Sequence, residues 1–247
     1  MTVLCCRPGV AVQRPAGDSR PGEESTVAHP QDEQDQPKVA ATIEAMVRAC
    51  GDRDLHRVGR RPGKEIDSLL AGRILVIGDD ADLAAIALRL MRKDLLGTVK
   101  VAFAAAGRSA VSELWGLPVG VRAVELAATG AAQPVPLVRD DVGGVLVGAG
   151  ELGPLAGTVY VDEHRVVGGR AHRLLVQPDP AKGLAVTVTA KTFAGLARGR
   201  RTTLGRAVQI GTEPTTVIRD GVPYPRPMDR WTFYKHTEPL LLVRPPR

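Results

Sequence analysis

The stretch Arg73-Ile74-Leu75-Val76-Ile77-Gly78-Asp79-Asp80-Ala81-Asp82 decides the fold of this chain. Its first half is a short apolar run rich in β-branched residues, which is typical of a buried parallel strand. After the acidic turn, apolar residues recur at the spacing of one helical face, at Leu83, Ile86, Ala87, Leu90 and Met91. The pattern predicts a strand, a tight turn and a helix, with Asp82 as the N-cap of that helix.

The same pattern repeats directly downstream. Residues 99–103 read as a second strand and residues 104–107 as a second turn. Residues 109–114 then begin a helix that ends at Trp115-Gly116-Leu117-Pro118. Alternating strands and helices favour a parallel sheet. Because ligands of open α/β sheets bind at the carboxyl ends of the strands, we expect both turns to face one cleft.

The residues before Arg73 divide into a polar part and an ordered part. Residues 2–6 read as a short strand, but residues 9–37 are polar and lack periodicity, so we expect residues 1–37 to be mostly disordered. Residues 38–50 carry a helical apolar stripe. A basic cluster follows, which is either a solvated face or a contact for an anionic headgroup or phosphate: Arg57, Arg60, Arg61 and Lys64.

The character of the chain changes after Pro118. One helix is expected at residues 119–129, and short β-like runs separated by glycine and proline then follow one another, with a short helix at residues 192–198. This spacing predicts a β-sandwich or curled sheet. We therefore expect an α/β domain at residues 38–118 and a β-rich domain at residues 119–247.

Composition sets the broad class of partner. The chain has 247 residues, a hydrophobic fraction of 44%, an aromatic fraction of 3% and a net charge of +6. A basic balance favours phosphorylated ligands or an anionic membrane surface, and few aromatics argue against nucleic acid. With no signal peptide and no long apolar run, we expect a cytoplasmic protein that associates weakly with membranes through its arginines. The three cysteines show neither metal-ligand spacing nor a disulfide framework.

Taken together, these elements resemble the nucleotide-binding core of the diacylglycerol kinase, sphingosine kinase and NAD kinase superfamily. Where that family carries Gly-Gly-Asp-Gly-Thr, this chain has Gly78-Asp79-Asp80-Ala81-Asp82. Where it carries Gly-Thr-x-Asn-Asp and later Gly-Leu-Pro, the counterparts are Ala106-Gly107-Arg108-Ser109-Ala110 and Gly116-Leu117-Pro118. Asp220-Gly221-Val222-Pro223 resembles a late Asp-Gly-Glu-Pro turn. The resemblance covers residues 38–243 and implies an α/β nucleotide-binding domain followed by a β-sandwich.

The resemblance also implies roles for individual residues. Gly78, Asp80, Gly107 and Arg108 fall where the family binds its nucleotide, and Asp220 falls at its catalytic turn. Local explanations stay open, because Asp80 and Asp220 are also ordinary turn residues and Arg108 is also an ordinary exposed residue. ATP and Mg²⁺ are the implied cofactors if the chain is active, and no residue is assigned to a metal. A homodimer also stays open.

Several residues differ from the family pattern at positions that carry its chemistry. Asp79 and Asp82 replace a glycine and the threonine, Ala181 and Lys182 replace two metal-organising carboxylates, and Val222 replaces a glutamate that helps to deprotonate the acceptor. These changes favour a degenerate lipid kinase-like protein, a pseudokinase with weak or no catalysis and a binding or regulatory role. The alternative is an active ATP-dependent kinase of a diacylglycerol-like alcohol. A Rossmann dehydrogenase is disfavoured, since no Gly-x-Gly-x-x-Gly follows the first strand.

Overall fold

The computed structural model of the chain describes residues 1–7, 30–191 and 198–246. The helices are α1 Pro30–Ala49, α2 Asp80–Arg92, α3 Ala110–Trp115 and α4 Val121–Thr129, and a 3-10 helix covers Lys64–Leu69. The strands are, in chain order, β1 Thr2–Cys6, β2 Leu55–Val58, β3 Arg73–Ile77, β4 Lys100–Ala104, β5 Ala131–Val135, β6 Val138–Asp140, β7 Val145–Leu146, β8 Gly150–Leu152, β9 Leu155–Val161, β10 His164–Ala171, β11 Arg173–Asp179, β12 Gly183–Lys191, β13 Arg198–Gly205, β14 Ala207–Thr215, β15 Val217–Arg219, β16 Val222–Pro223, β17 Met228–Lys235 and β18 Leu240–Arg244.

The first sheet has six strands in the order β2-β1-β3-β4-β18-β5. Neighbouring strands are parallel from β2 to β18, and β5 runs antiparallel to β18. Ile74, Leu75, Val76 and Ile77 of β3 are each 0% exposed, because helices cover both faces of the sheet. The continuous apolar run that predicted a buried parallel strand is explained by this double burial.

Helices α2 and α3 and the 3-10 helix pack on one face of the first sheet, and α1 and α4 pack on the other. Leu83, Ile86 and Leu90 of α2 point into the core, as their helical spacing predicted. Among the helices of the described residues, none is both long and apolar enough to cross a bilayer.

The β-rich part consists of two antiparallel six-stranded sheets, with strand orders β10-β9-β14-β17-β6-β7 and β13-β12-β11-β8-β15-β16. One hydrophobic core lies between them, and it includes Trp231 and Phe233, which are 1% and 0% exposed. The Tyr224 and Trp231 rings meet edge to face, with centroids 4.9 Å apart. The predicted class, an α/β domain followed by a β-sandwich, is therefore confirmed.

The limits of the two parts differ from the sequence expectation. Helix α4 and strands β5 and β18 lie after Pro118, yet they belong to the first sheet and its helices. The limit expected at residue 118 therefore does not separate the sheets. The reason is that β18 returns to the α/β sheet after the whole sandwich has been built, which is a long-range pairing that local pattern cannot show.

The expected disorder before residue 38 is corrected in part. Strand β1 lies between β2 and β3 in the first sheet. Helix α1 begins at Pro30, so residues 30–37 are helical. Proline suits the first turn of a helix, and the glutamine and glutamate residues after it are good helix formers. Residues 8–29 lie outside the described residues. The helix expected at 192–198 also falls largely outside them, and Arg198 begins β13.

Candidate functional site

The turn between β3 and α2 is closed by its own side chains. Asp79 is the N-cap of α2, and its Oδ1 accepts a hydrogen bond from the Asp82 backbone N–H at 2.9 Å. The Asp82 Oδ2 accepts in return from the Asp79 backbone N–H at 3.0 Å, which completes a capping box. The prediction that Asp82 is the N-cap is therefore wrong, because Asp82 is the third residue of the helix.

The Asp82 carboxylate is fully buried and accepts from two further groups. The Arg61 backbone N–H donates to Oδ1 at 2.7 Å, and the Arg60 Nε lies 3.0 Å from Oδ1 and 2.9 Å from Oδ2. Arg60 also forms an ion pair with Asp79. One guanidinium thus neutralises both carboxylates at the positive end of the α2 dipole.

Gly78 makes room for this arrangement. A Cβ atom at Gly78 would lie 2.5 Å from Oδ2 of Asp82 and 3.0 Å from its Cβ, so a larger residue would push the carboxylate away. Phosphates bind helix N-termini through free backbone N–H groups and the dipole. Here the N–H groups of Asp79 and Asp82 already donate to carboxylates, which leaves fewer donors for a phosphate at this helix N-terminus.

Asp80, the first residue of α2, is 8% exposed. Its Oδ2 accepts from the Val111 backbone N–H at 3.3 Å, and its Oδ1 has no hydrogen-bond partner among the described residues. Burial raises the pKa of Asp80, and hydrogen bonds from Ser109, Val111 and Ala110 oppose that rise. The side chain therefore joins α2 to the start of α3.

Asp220 lies in the turn after β15 and is held by the sandwich loop that joins β7 to β8. Its Oδ1 accepts from the backbone N–H groups of Gly148 at 2.8 Å and Ala149 at 3.0 Å, and its Oδ2 accepts from Val147 at 3.1 Å. Burial raises the pKa of Asp220 to about 7, although these three hydrogen bonds lower it, and the charge of Asp80 adds to the rise. The structure thus brings Asp80 and Asp220 into one region.

Gly148 lies where the sandwich loop packs closely against the α/β part of the molecule. A Cβ atom there would lie 3.1 Å from each of three atoms, in Ala110, Val111 and Asp220. The sandwich loop therefore packs between the start of α3 and the Asp220 carboxylate.

Gly107 and Arg108 are exposed in the loop between β4 and α3. The Arg108 Nε donates to Glu113 Oε1 at 2.9 Å, and the Arg108 side chain is 81% exposed. Neither residue contacts Asp80 or Asp220 in the described hydrogen bonds. Arg108 therefore lies in an exposed ion pair with Glu113. The role of Gly107 and Arg108 in nucleotide binding stays a prediction.

Ala181 and Lys182, which correspond to the family's metal-organising carboxylates, lie in an exposed turn. Asp179 Oδ1 accepts from the backbone N–H groups of Ala181 and Lys182, each at 2.9 Å. In the part of the chain that the structure describes, no group of three or more His, Cys, Asp or Glu side chains could hold a metal ion.

A cleft of about 510 Å³ lies between α2 and the sandwich. Its walls are one side of α2, the loop before the 3-10 helix, and the sandwich loops near residues 144–145 and 219–222. Five basic residues line it: Arg61, Lys64, Arg89, Arg92 and Arg219. Sequence analysis singled out Arg61 and Lys64 as part of a basic cluster but missed the other three. The helical spacing of Ala81, Ala85, Leu88 and Arg92 on one side of α2 was the available signal.

The architecture, an α/β sheet and a β-sandwich that meet at a cleft, is similar to the folds of solved diacylglycerol kinase and NADH kinase structures. The chain is similar to a diacylglycerol kinase from Bacillus anthracis str. Sterne, with a TM-score of 0.61 and 13% identity over 99% of this chain and 97% of that chain. It is also similar to yeast NADH kinase complexed with NADH, with a TM-score of 0.50 and 11% identity over 83% of this chain and 80% of that chain. No protein-family model and no curated protein matches the chain. At such identities the likeness shows the fold, and the resemblance inferred from the motifs is confirmed at that level.

Proposed function

We propose that this chain is a degenerate diacylglycerol kinase-like protein that binds a ligand in its cleft and transfers phosphate weakly or not at all. The observation that carries the proposal is the buried Asp82 carboxylate at the turn after β3. It accepts hydrogen bonds from the backbone N–H groups of Asp79 and Arg61 and from the guanidinium of Arg60. A phosphate bound at this helix N-terminus would compete with these carboxylates for the backbone N–H groups.

Electrostatics supports the same conclusion. A phosphate oxygen placed about 4 Å from a carboxylate meets a repulsion of about 4 kcal/mol at an effective dielectric near 20. Arg60 offsets part of this, but its charge is already shared between Asp79 and Asp82. At the cleft wall Val222 offers only hydrocarbon, so it cannot accept the proton of an acceptor hydroxyl.

A two-part experiment tests the proposal. Calorimetry with ATP, with and without Mg²⁺, measures nucleotide binding, and labelled ATP with mixed diacylglycerol micelles measures transfer. We expect the wild type to show no lipid phosphorylation above background. A variant with Asp79→Gly, Ala81→Gly, Asp82→Thr and Val222→Glu restores the family residues, and circular dichroism checks that it folds. We expect the folded variant to gain nucleotide binding, and robust lipid phosphorylation by the wild type would overturn the proposal.

A second candidate function is an active ATP-dependent lipid kinase. The observation that favours it is Asp220, which lines the cleft and whose pKa is raised to about 7 by burial. A carboxylate with a pKa near neutrality suits a general base. Under this candidate ATP and Mg²⁺ are the cofactors, and a nucleotide is also the ligand class suggested by the NADH in the similar yeast structure. Wild-type lipid phosphorylation that is lost in Asp220→Ala would select it.

A further inference from the structure

The two sheets of the sandwich are joined by three short connections at one of its corners. The chain crosses between the sheets from β8 to β9, from β10 to β11 and from β14 to β15. Each of these connections has at most two residues. Together with the strand ends beside them they form what we call the sandwich corner, residues 153–156, 170–172 and 212–216.

Close contacts hold the three parts of the sandwich corner together. A Cβ atom at Gly153 would lie 2.5 Å from the backbone oxygen of His172, so the first two connections touch. The Ala156 backbone N–H donates to Thr212 Oγ1 at 3.1 Å, and that hydroxyl donates to the Ala156 backbone oxygen at 3.0 Å. The start of β9 is therefore fixed against both β10 and β14.

A cavity of about 730 Å³ opens at the sandwich corner. Most of its lining residues are apolar: Pro154, Leu155, Ala156, Ala171 and Pro214. A volume of this size, with apolar walls and a few polar groups, is typical of small-molecule sites. The cavity has no lining residue in common with the cleft beside α2, so it is a separate candidate site.

The three other lining residues are polar and include both signs of charge: Arg170, His172 and Glu213. None of their side chains forms an ion pair or a hydrogen bond with another described residue. Arg170 and Glu213 are exposed, so the guanidinium and the carboxylate are available to a ligand. Although they have opposite charges and line one cavity, they do not pair with each other, which indicates a space between them.

The strand register explains why the two charges stay apart. Arg170 of β10 is paired with Ala156 of β9, and Thr212 of β14 binds Ala156 from the other side. Glu213 follows Thr212, so the strand that carries Arg170 and the strand that carries Glu213 are separated by β9. Neighbouring strands lie about 4.8 Å apart, which places the two backbones about 10 Å from each other. This distance leaves room for a small molecule with one charge at each end.

We propose that the sandwich corner binds a small zwitterion of the amino acid class, whose carboxylate pairs with Arg170 and whose ammonium group pairs with Glu213. A guanidinium binds a carboxylate through two parallel N–H donors. The His172 ring, two residues along the chain, supplies a further hydrogen bond. The apolar walls contact the hydrocarbon part of the ligand. This site goes beyond the proposed function, since it does not depend on what the cleft binds or transfers.

Calorimetry on the full chain compares zwitterions with molecules that carry only one of the two charges. L-Leucine and 6-aminohexanoate are the zwitterions, with a short and a long spacing between the charges. 4-Methylpentanoate is leucine without its ammonium group, and 3-methylbutylamine is leucine without its carboxylate. We expect a zwitterion to bind about tenfold more tightly than either single-charge molecule, which lacks one charge-assisted contact. Binding of neither zwitterion, or equal binding of zwitterions and single-charge molecules, would overturn the inference.

Variants then locate the site. Arg170→Gln and Glu213→Gln each remove one charge from an exposed side chain, and we expect each to weaken binding of the preferred zwitterion about tenfold. Arg165→Gln is the matched control, since Arg165 is exposed on the same strand but does not line the cavity. Equal weakening by Arg170→Gln and Arg165→Gln would contradict the site. A dimer in sedimentation experiments that Arg170→Gln abolishes would show that a second copy of the chain fills the corner, and it would also overturn the inference.

Discussion

Replacing Asp82 with alanine should destabilise the protein, because one buried carboxylate joins two separate loops. It accepts from the Arg61 backbone N–H at 2.7 Å, from the Asp79 backbone N–H at 3.0 Å and from the Arg60 guanidinium at 2.9 and 3.0 Å. In Asp82→Ala the two backbone groups lose their acceptor, and Arg60 keeps only Asp79.

The size of the loss follows from these contacts. Each backbone N–H left without an acceptor costs about 1 kcal/mol or more, and removing one partner of a fully buried ion pair costs about 3–5 kcal/mol. Arg60 is 38% exposed, so solvent screens its charge and the ion-pair part is well below that range. The expected decrease in the free energy of unfolding is about 3 kcal/mol. For a chain of this size, that corresponds to a decrease in Tm of about 6–12 °C.

Thermal unfolding followed by circular dichroism measures this decrease. Glu113→Ala is the control, since it breaks an ion pair with Arg108 in which both side chains are largely exposed, and such pairs contribute little. A Tm of Asp82→Ala that equals the Tm of Glu113→Ala would refute the account of the turn.

The remaining predictions concern the contact between the two parts of the molecule and its surface charge. Burial raises the pKa of Asp220 from 3.8 to about 7, so the contribution of this group to stability is fully present below about pH 4 and is lost as pH rises through 7. Asp220→Asn should therefore flatten the slope of unfolding free energy against pH in urea melts, and equal slopes would contradict it. Gly148→Ala should lower the free energy of unfolding by about 1–3 kcal/mol, because the added Cβ would lie 3.1 Å from atoms of Ala110, Val111 and Asp220. Gly107→Ala, whose Cβ would meet nothing within 4 Å, is the matched variant, and similar urea midpoints for the two would count against the close packing. The fraction of protein that floats with anionic vesicles should decrease as salt rises, because the attraction between its arginines and the lipid headgroups is screened beyond about 10 Å at 0.1 M salt. Binding that does not depend on salt would rule out an electrostatic cause.

The local elements around the first turn could be predicted because their signals are local. The apolar run of β3 and the spacing of Leu83, Ile86 and Leu90 each depend on a few neighbouring residues. The N-cap could not be assigned, since Asp79 and Asp82 both suit that position by residue type. In the structure Asp79 is the N-cap, and Asp82 instead accepts from Arg60 and from the Arg61 N–H, which lie outside the turn.

Strands β13 and β17 are examples of elements that local pattern alone does not predict. Strand β13 lies at the edge of its sheet and carries Arg198, Arg200 and Arg201, and edge strands tolerate charge that a central strand would not. Strand β17 did carry an alternating signal, since Trp231 and Phe233 are buried and their neighbours are more exposed. Short strands of this kind are recognised reliably only when their partners are known.

The candidate site depended on contacts between distant parts of the chain. Asp80 and Asp220 were named through the resemblance, and no local pattern showed that they come close together. The cleft was missed because two of its five cations, Arg89 and Arg92, lie on the side of α2 that faces the sandwich. Whether that side of α2 faces solvent or lines a cleft depends on how the sandwich packs against the α/β part.

The position of strand β18 affects the order in which the chain folds during synthesis. It pairs with both β4 and β5, so until residues 240–244 leave the ribosome these strands lack a neighbour that they have in the finished sheet. The sandwich strands β6 to β17 are all made in between, and at about 5–20 residues per second their synthesis takes about 5–20 s. The sandwich can therefore fold while the earlier α/β sheet is still incomplete. During that interval the open edges of β4 and β5 are the surfaces that a chaperone would need to protect.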